Sequence, residues 1–169
     1  ERLACCRRAG LAVQAVVVNP VAALNVCDAK RALSRSASAA ATPVMTVLRL
    51  LDPCSAEWIL SAPSQLHIIP VTSGSPEVFW QELAASWEAL RGQEAAIPSP
   101  IRIIGPPEVM PRAQAMLSGQ RVERVDITQV VGAGLAKAEQ PDRLVAALGL
   151  ALQGLGVAGD QDQATVLRL

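Results

Sequence analysis

The residue types that usually perform catalysis are few and scattered in this chain. A nucleophilic Ser or Cys needs a neighbouring base, but the only histidine, His67, lies inside the apolar run 66–70. We therefore expect His67 to be an ordinary strand residue. The carboxylates stand singly along predicted helices and turns, so that no pair of them indicates acid–base catalysis. The sequence alone identifies no catalytic residue.

Metal and phosphate motifs are equally weak. Without a Cys-x-x-Cys pair, and with a single histidine, the four cysteines do not show the spacing of a zinc quartet, so we predict reduced cysteines and no metal site. Gly132-x-Gly134 resembles the start of a dinucleotide fingerprint but lacks the third glycine, so a turn is predicted there. No Gly-x-x-x-x-Gly-Lys-Ser/Thr sequence is present, which excludes a P-loop. The cysteines are Cys5, Cys6, Cys27 and Cys54.

Composition limits the classes of protein further. The chain has 169 residues, of which 51% are hydrophobic, enough for a domain with its own core. Its 15 basic residues are balanced by 15 acidic ones, and it has only three Trp and one Phe, which argues against nucleic-acid binding. The longest apolar stretch, 144–152, is too short for a membrane span, and no signal peptide is recognised, so a cytoplasmic protein is expected. Because the chain starts at Glu1 without an initiator Met, we expect it to be part of a longer protein.

The elements that must position any site begin with a small N-terminal part. The pattern predicts a short helix over 3–10, a buried strand over 11–18, and a helix that starts at Asn19-Pro20 and ends near residue 34. The small polar residues 34–43 predict a linker. We therefore divide the chain into 1–42, the end of a preceding subdomain plus this linker, and 43–169, a larger subdomain.

The sequence pattern of residues 43–169 predicts an α/β fold. Three short extended runs separated by turns favour an antiparallel meander, and the later strands alternate with helices, which is typical of a mixed sheet covered by helices. Ser75 and Pro76 form an N-terminal capping pattern for the first of these helices. The predicted elements are strands over 44–51, 56–60 and 66–71, a helix over 76–91, a strand over 101–104, a helix ending near 118, an extended run over 122–127, a loop over 129–140, a helix over 141–155 and a strand over 164–169.

Two sets of residues predict where the core lies. Residues 79, 83, 87 and 90 recur at helical spacing and so form one face. Small residues at 146, 147, 149 and 151 leave little side chain on the helix over 143–156, so another backbone can approach it closely. The predicted core residues are Trp58, Phe79, Leu83, Trp87, Leu148, Leu150 and Leu152.

Four segments, taken in order, resemble one known protein family. They are the helix, strand and Asn19-Pro20 helix of residues 1–25, the strand and turn 68–74 with its Ile-Pro, the strand 101–105 ending in glycine, and the Leu-Gly-Leu-Ala-Leu helix of 143–156. Together they are similar to the C-terminal half of the actin-like proteins of type IV pilus assembly, the PilM group, which is related to FtsA and GspL. The closing residues 164–169 also stand where relatives carry a short Asn-Leu-Leu tail. This resemblance implies an actin-like (ribonuclease H-like) subdomain.

The chain departs from the nucleotide-binding motifs of that family. Active relatives carry a hairpin of the form Asp-x-Gly-x-x-x-Thr, and counting back from Trp58 puts its Asp and Gly at Arg49 and Leu51. Shifting the register offers Asp52, which is followed by a proline and a cysteine. A side chain at Leu51 and a proline after Asp52 predict a poor phosphate cradle, because backbone N–H groups then cannot approach a phosphate closely.

The adenine loop of the family is altered in the same way. Its Gly-Gly-Gly stretch becomes Gly105-Pro106-Pro107 in this sequence. If a nucleotide binds at all, the resemblance makes Asp52, Ser55 and Gly105 its candidate contacts, and no metal ligand is assigned.

The resemblance also implies a function, and we expect that this function needs no cofactor. The preferred hypothesis is a noncatalytic actin-fold scaffold, or pseudo-ATPase, of a type IV pilus or secretion-like machine. Its expected partner is the cytoplasmic tail of a single-span inner-membrane assembly protein, and self-association is a further expectation. The alternative is a working ATPase or small-molecule kinase of the same superfamily, with ATP and Mg²⁺. A third interpretation is an ordinary α/β domain whose likeness is accidental, which a fold without the meander, helix, strand, helix order would favour.

Overall fold

The computed structural model describes residues 15–17, 19–34, 44–62, 65–93, 97, 99–127, 144–154 and 166–168. Their elements, in chain order, are β1 (Ala15–Val17), α1 (Asn19–Ser34), β2 (Met45–Asp52), β3 (Ser55–Ala62), β4 (Gln65–Thr72), α2 (Pro76–Gln93), β5 (Ile101–Ile104), a short 3-10 helix (Pro107–Val109), α3 (Met110–Met116), β6 (Val122–Arg124), α4 (Val145–Gly154) and β7 (Val166–Arg168). The predicted helix over 3–10, most of the linker and the predicted loop over 129–140 lie outside the described residues.

The main sheet has five strands in the order β4-β3-β2-β5-β6. Strands β2, β3 and β4 form an antiparallel meander, as predicted, whereas β5 and β6 run parallel to β2. The chain reaches β5 through α2 and β6 through α3, the connection that parallel neighbours require. The described chain is thus a mixed α/β structure. The predicted closing strand is present as β7, which pairs antiparallel with β1 in a separate two-stranded sheet.

Each face of the sheet has its own hydrophobic core. Successive side chains of a strand point to opposite faces, and on β2 Val47 lies in one core and Leu48 in the other. Residues of α1 and α4 close the first core, and residues of α2 and α3 close the second. The sheet is therefore covered by helices on both faces.

The second core is organised around two stacked tryptophans. The rings of Trp58 and Trp87 stack with centroids 5.3 Å apart, and both side chains are buried. Trp58 Nε1 donates a hydrogen bond to Ser86 Oγ at 2.9 Å, and that hydroxyl donates to the carbonyl of Leu83 at 2.7 Å. The face of α2 predicted from helical spacing is confirmed, since Phe79, Leu83, Trp87 and Leu90 are all buried.

The prediction that Leu150 is a core residue is wrong. Leu148 and Leu152 are buried on α4, but Leu150 is 45% exposed. The buried positions Val145, Leu148, Gly149 and Leu152 follow the i, i+3, i+4, i+7 spacing of a single helical face, from which Leu150 points away. A helix that is apolar all round gives no polar side from which the sequence could distinguish its leucines.

The close approach predicted for the apolar helix is present between α1 and α4. A Cβ built on Gly149 would overlap the carbonyl group of Ala22 and lie 2.7 Å from Ala22 Cα. The buried Asn25 also donates a hydrogen bond from Nδ2 to the carbonyl of Gly149 at 3.3 Å. The first helix and the last helix of the described chain therefore meet backbone to backbone. The division of the chain near residue 42 stays a prediction.

We expect Gly149→Leu to lower the free energy of unfolding by more than about 2 kcal/mol, because the new side chain would push α1 away from α4. Urea denaturation of the wild type and the variant measures this loss. Ala147→Leu is the matched control on an exposed position of the same helix, and its effect should stay within about 0.5 kcal/mol. An unchanged midpoint for Gly149→Leu would contradict the contact between the two helices.

Candidate nucleotide-binding edge of the sheet

The candidate contacts come from two strands that end at the same edge of the sheet. Strands β2 and β5 are parallel, and Arg49 is the register partner of Ile104. Asp52 ends β2 and Ser55 begins β3 after the two-residue turn, while Gly105 follows β5. The structure therefore brings both predicted regions to the carboxyl edge of the sheet, where α/β proteins commonly bind ligands.

The carboxylate of Asp52 stabilises the turn between β2 and β3. Asp52 pairs with Ser55 across a two-residue connection, Pro53-Cys54. Asp52 Oδ1 accepts a hydrogen bond from the backbone N–H of Cys54 at 2.7 Å, and Oδ2 accepts one from the hydroxyl of Ser55 at 2.5 Å. This is the bonding by which an Asp side chain stabilises a turn two residues on. Both carboxylate oxygens of Asp52 thus accept hydrogen bonds within the turn itself.

These hydrogen bonds also set the charge of Asp52. The Ser55 hydroxyl, followed by the backbone N–H of Cys54, lowers the pKa of the Asp52 carboxyl below its ordinary value of 3.8. The carboxyl is therefore ionised at neutral pH, and the donors that stabilise the charge belong to the turn itself. In this arrangement Ser55 acts as a donor to Asp52.

Arg49 stands at the position that the hairpin motif assigns to an aspartate. Its side chain is nearly buried and forms an ion pair with Glu57, with Nη1 and Oε1 2.8 Å apart. The two residues are direct cross-strand partners on β2 and β3. The carboxylate of Glu57 compensates the charge of this guanidinium. The ion pair therefore stabilises the pairing of β2 with β3.

A leucine fills the space beside Gly105. A Cβ built on Gly105 would lie 3.1 Å from both Cβ and Cδ1 of Leu50. The carbonyl of Gly105 accepts a hydrogen bond from Nε of Arg124 at 3.1 Å. The following residues, Pro106 and Pro107, are exposed and have no N–H to offer a ligand. The loop after β5 thus presents an apolar contact where a glycine-rich loop would present backbone donors.

The side chain next to Gly105 is one that sequence reasoning missed. The register of β2 against β3 shifts between Leu50 and Asp52, which leaves Leu51 as an extra, unpaired residue. Leu51 is 44% exposed, whereas Leu50 packs against the second core. Alternation along β2 could have indicated this, because Leu48 and Leu50 share a face. No local signal could have found Glu57 or Arg124 as partners, since both contacts depend on strand pairing.

The other residues singled out in the sequence do not join this edge. His67 lies on β4 as a strand residue, as predicted, and its Nε2 is 3.2 Å from Oε1 of Gln65. Cys27 is buried and Cys54 is half-buried, while Cys5, Cys6, Gly132 and Gly134 lie outside the described residues. Within the described ranges, no three His, Cys, Asp or Glu side chains are grouped so that they could hold a metal ion. None of the helices described is long and apolar enough to span a bilayer.

Comparisons of the chain with protein-family models, with curated proteins and with solved structures found no match. The class that the fold defines is a mixed α/β protein with a five-stranded sheet.

We expect Ser55→Ala to raise the pKa of Asp52 toward its ordinary value, because the strongest donor to the carboxylate is removed. A lowered pKa stabilises the fold above the ordinary value and loses that effect as pH falls through the lowered one, so the variant should lose less stability on acidification. An NMR titration of the carboxyl carbons measures the shift.

Glu77 is the internal control for that titration. Its own backbone N–H and the hydroxyl of Ser75 lower its pKa, and neither group is touched by the substitution. The Glu77 titration should be the same in both proteins. An Asp52 titration that also stays the same would show that Ser55 does not donate to it.

Proposed function

We propose that this chain is a noncatalytic scaffold built on an actin-like (ribonuclease H-like) subdomain of a type IV pilus or secretion-like machine. The order of elements supports the actin-like part of the proposal. The resemblance to the PilM group implies a three-strand meander followed by helix, strand and helix, and the described elements have that order. A fold without that order would have favoured an accidental likeness.

The observation that carries the noncatalytic part is the packing of Leu50 against Gly105. A phosphate site needs backbone N–H groups that can approach the ligand and a pocket that excludes apolar side chains. Here a leucine occupies the approach to Gly105, and two prolines remove donors from the loop that follows. The carboxylate of Asp52 already closes its own turn.

The resemblance also supplies the proposed partner and location. The scaffold would bind the cytoplasmic tail of a single-span inner-membrane assembly protein, at the inner face of that membrane, and would associate with its own copies. It would need no cofactor for this work.

The competing proposal is a working ATPase or small-molecule kinase that uses ATP and Mg²⁺. One observation favours it, since the Asp52 turn and Gly105 do lie at the same carboxyl edge of the sheet. In that case Asp52, Ser55 and Gly105 would contact the nucleotide, and Leu50 would have to move to admit it.

Calorimetric titration of the full chain with Mg-ATP separates the two proposals. We expect no saturable binding in the micromolar range, because the edge presents an apolar side chain and few backbone donors. Micromolar affinity that is lost in both Asp52→Ala and Gly105→Val would overturn the scaffold proposal.

Glu88→Ala is the matched control for that titration. Glu88 is an exposed carboxylate on α2 that pairs with Arg91, so its removal changes the net charge as Asp52→Ala does. Affinity that falls equally in Glu88→Ala would indicate a nonspecific effect of charge on the titration, which would leave the edge unused and agree with the scaffold proposal.

A further inference from the structure

Strand β4 forms an outer edge of the five-stranded sheet. It pairs with β3 on one side, and no strand among the described residues pairs with its other side. The strand is eight residues long and contains no Lys, Arg, Asp or Glu. Such charges are one of the features that protect edge strands in monomeric proteins, because an unpaired edge is a template for another strand.

The register shows which backbone groups of β4 face outward. The N–H of Ser73 donates to the carbonyl of Cys54 at 2.9 Å, so position 73 faces β3. Hydrogen-bonded and non-hydrogen-bonded pairs alternate along an antiparallel ladder, and positions 71, 69 and 67 therefore also face β3. Leu66, Ile68 and Pro70 then direct their backbone groups away from the sheet. A proline, which has no N–H, is tolerated at such an outward position.

Apolar side chains of β4 lie on both faces of the sheet. Ile68 is 39% exposed, and it lies across from Ile59 on the face of the first core. Leu66, on the same face, is half-buried against that core, and Ile69 is half-buried against the other. A strand added beside β4 would cover Ile68 and extend both layers.

We propose that β4 pairs with β4 of a second copy of this chain, antiparallel about a two-fold axis, so that two five-stranded sheets become one. The outward N–H and C=O groups of Leu66 and Ile68 require an extended backbone as their complement. A second copy supplies one, and no Lys, Arg, Asp or Glu side chain of the strand would then be placed against its own copy.

Pro70 selects the register of this pairing. A register that placed Leu66 opposite Pro70 would leave the carbonyl of Leu66 without a donor. Placing Leu66 of one copy opposite Ile68 of the other lets both residues exchange their N–H···O bonds, and the symmetry axis then passes beside His67. This inference deepens the self-association that the scaffold proposal includes, and it rests on that part of the proposal alone.

Sedimentation equilibrium of the full chain over a concentration series tests the pairing. We expect a concentration-dependent dimer that Ile68→Lys abolishes, because each new ammonium group would lie opposite Leu66 of the other copy and diagonal to the second new ammonium group. Ile68→Pro should also abolish it, since that substitution removes an outward N–H and leaves the bonds to β3 intact. Val78→Lys is the control, because Val78 is also an exposed apolar residue but lies on α2 and not on β4, and this variant should still dimerise.

Amide hydrogen exchange of the wild type keeps the test independent of variant folding. The N–H groups of Leu66 and Ile68 should gain protection as the dimer forms. A chain that stays monomeric, a dimer that survives both Ile68 variants or is lost in Val78→Lys, or unprotected Leu66 and Ile68 amides in the dimer would each overturn the pairing. Such a failure is distinct from failure of the scaffold proposal, which only the Mg-ATP titration overturns.

Discussion

The register of β2 is the constraint on which the rest of the structure depends. This strand is hydrogen-bonded antiparallel to β3 on one side and parallel to β5 on the other, and both of its faces are covered. Val47 enters the core closed by α1 and α4, while Leu48 enters the core closed by α2 and α3. A shift by one residue would exchange these faces and place the nearly buried Arg49 against the tryptophan stack. The alternation of side chains along β2 therefore determines which residues enter each of the two hydrophobic cores.

That register also decides the chemistry at the carboxyl edge of the sheet. With Leu48 in the second core, Leu50 must point the same way, and the parallel pairing with β5 brings it against Gly105. The bulge at Leu51 then turns the chain into a hairpin that Asp52 closes through Cys54 and Ser55. The edge is consequently a continuation of the hydrophobic core that ends in a turn with its own hydrogen bonds.

Much of this fold could be predicted from short-range patterns, and the failures have a common cause. The meander and the buried face of α2 follow from periods of two and about 3.6 residues, which are local properties of the sequence. Leu150 was misplaced because α4 is apolar on every side. The Leu50–Gly105 contact and the Arg49–Glu57 ion pair were missed because they depend on which strands become neighbours. The resemblance singled out Asp52 and Gly105 as candidate nucleotide contacts, but their environment is set by residues that no motif includes.

The proposed scaffold function gives this edge a physical rationale. In a ligand site, side chains leave a pocket empty and polar groups lack partners until the ligand binds. Such a site lowers the stability of the protein. When no nucleotide has to be admitted, filling the approach to Gly105 with Leu50 buries apolar surface, and using the Asp52 carboxylate within its own turn satisfies donors that would otherwise face water. The same sheet has an outer strand without Lys, Arg, Asp or Glu, β4, on the side away from β5. Among the described residues, side chains thus fill the edge at which α/β proteins commonly bind ligands, whereas no strand pairs with the outer side of β4.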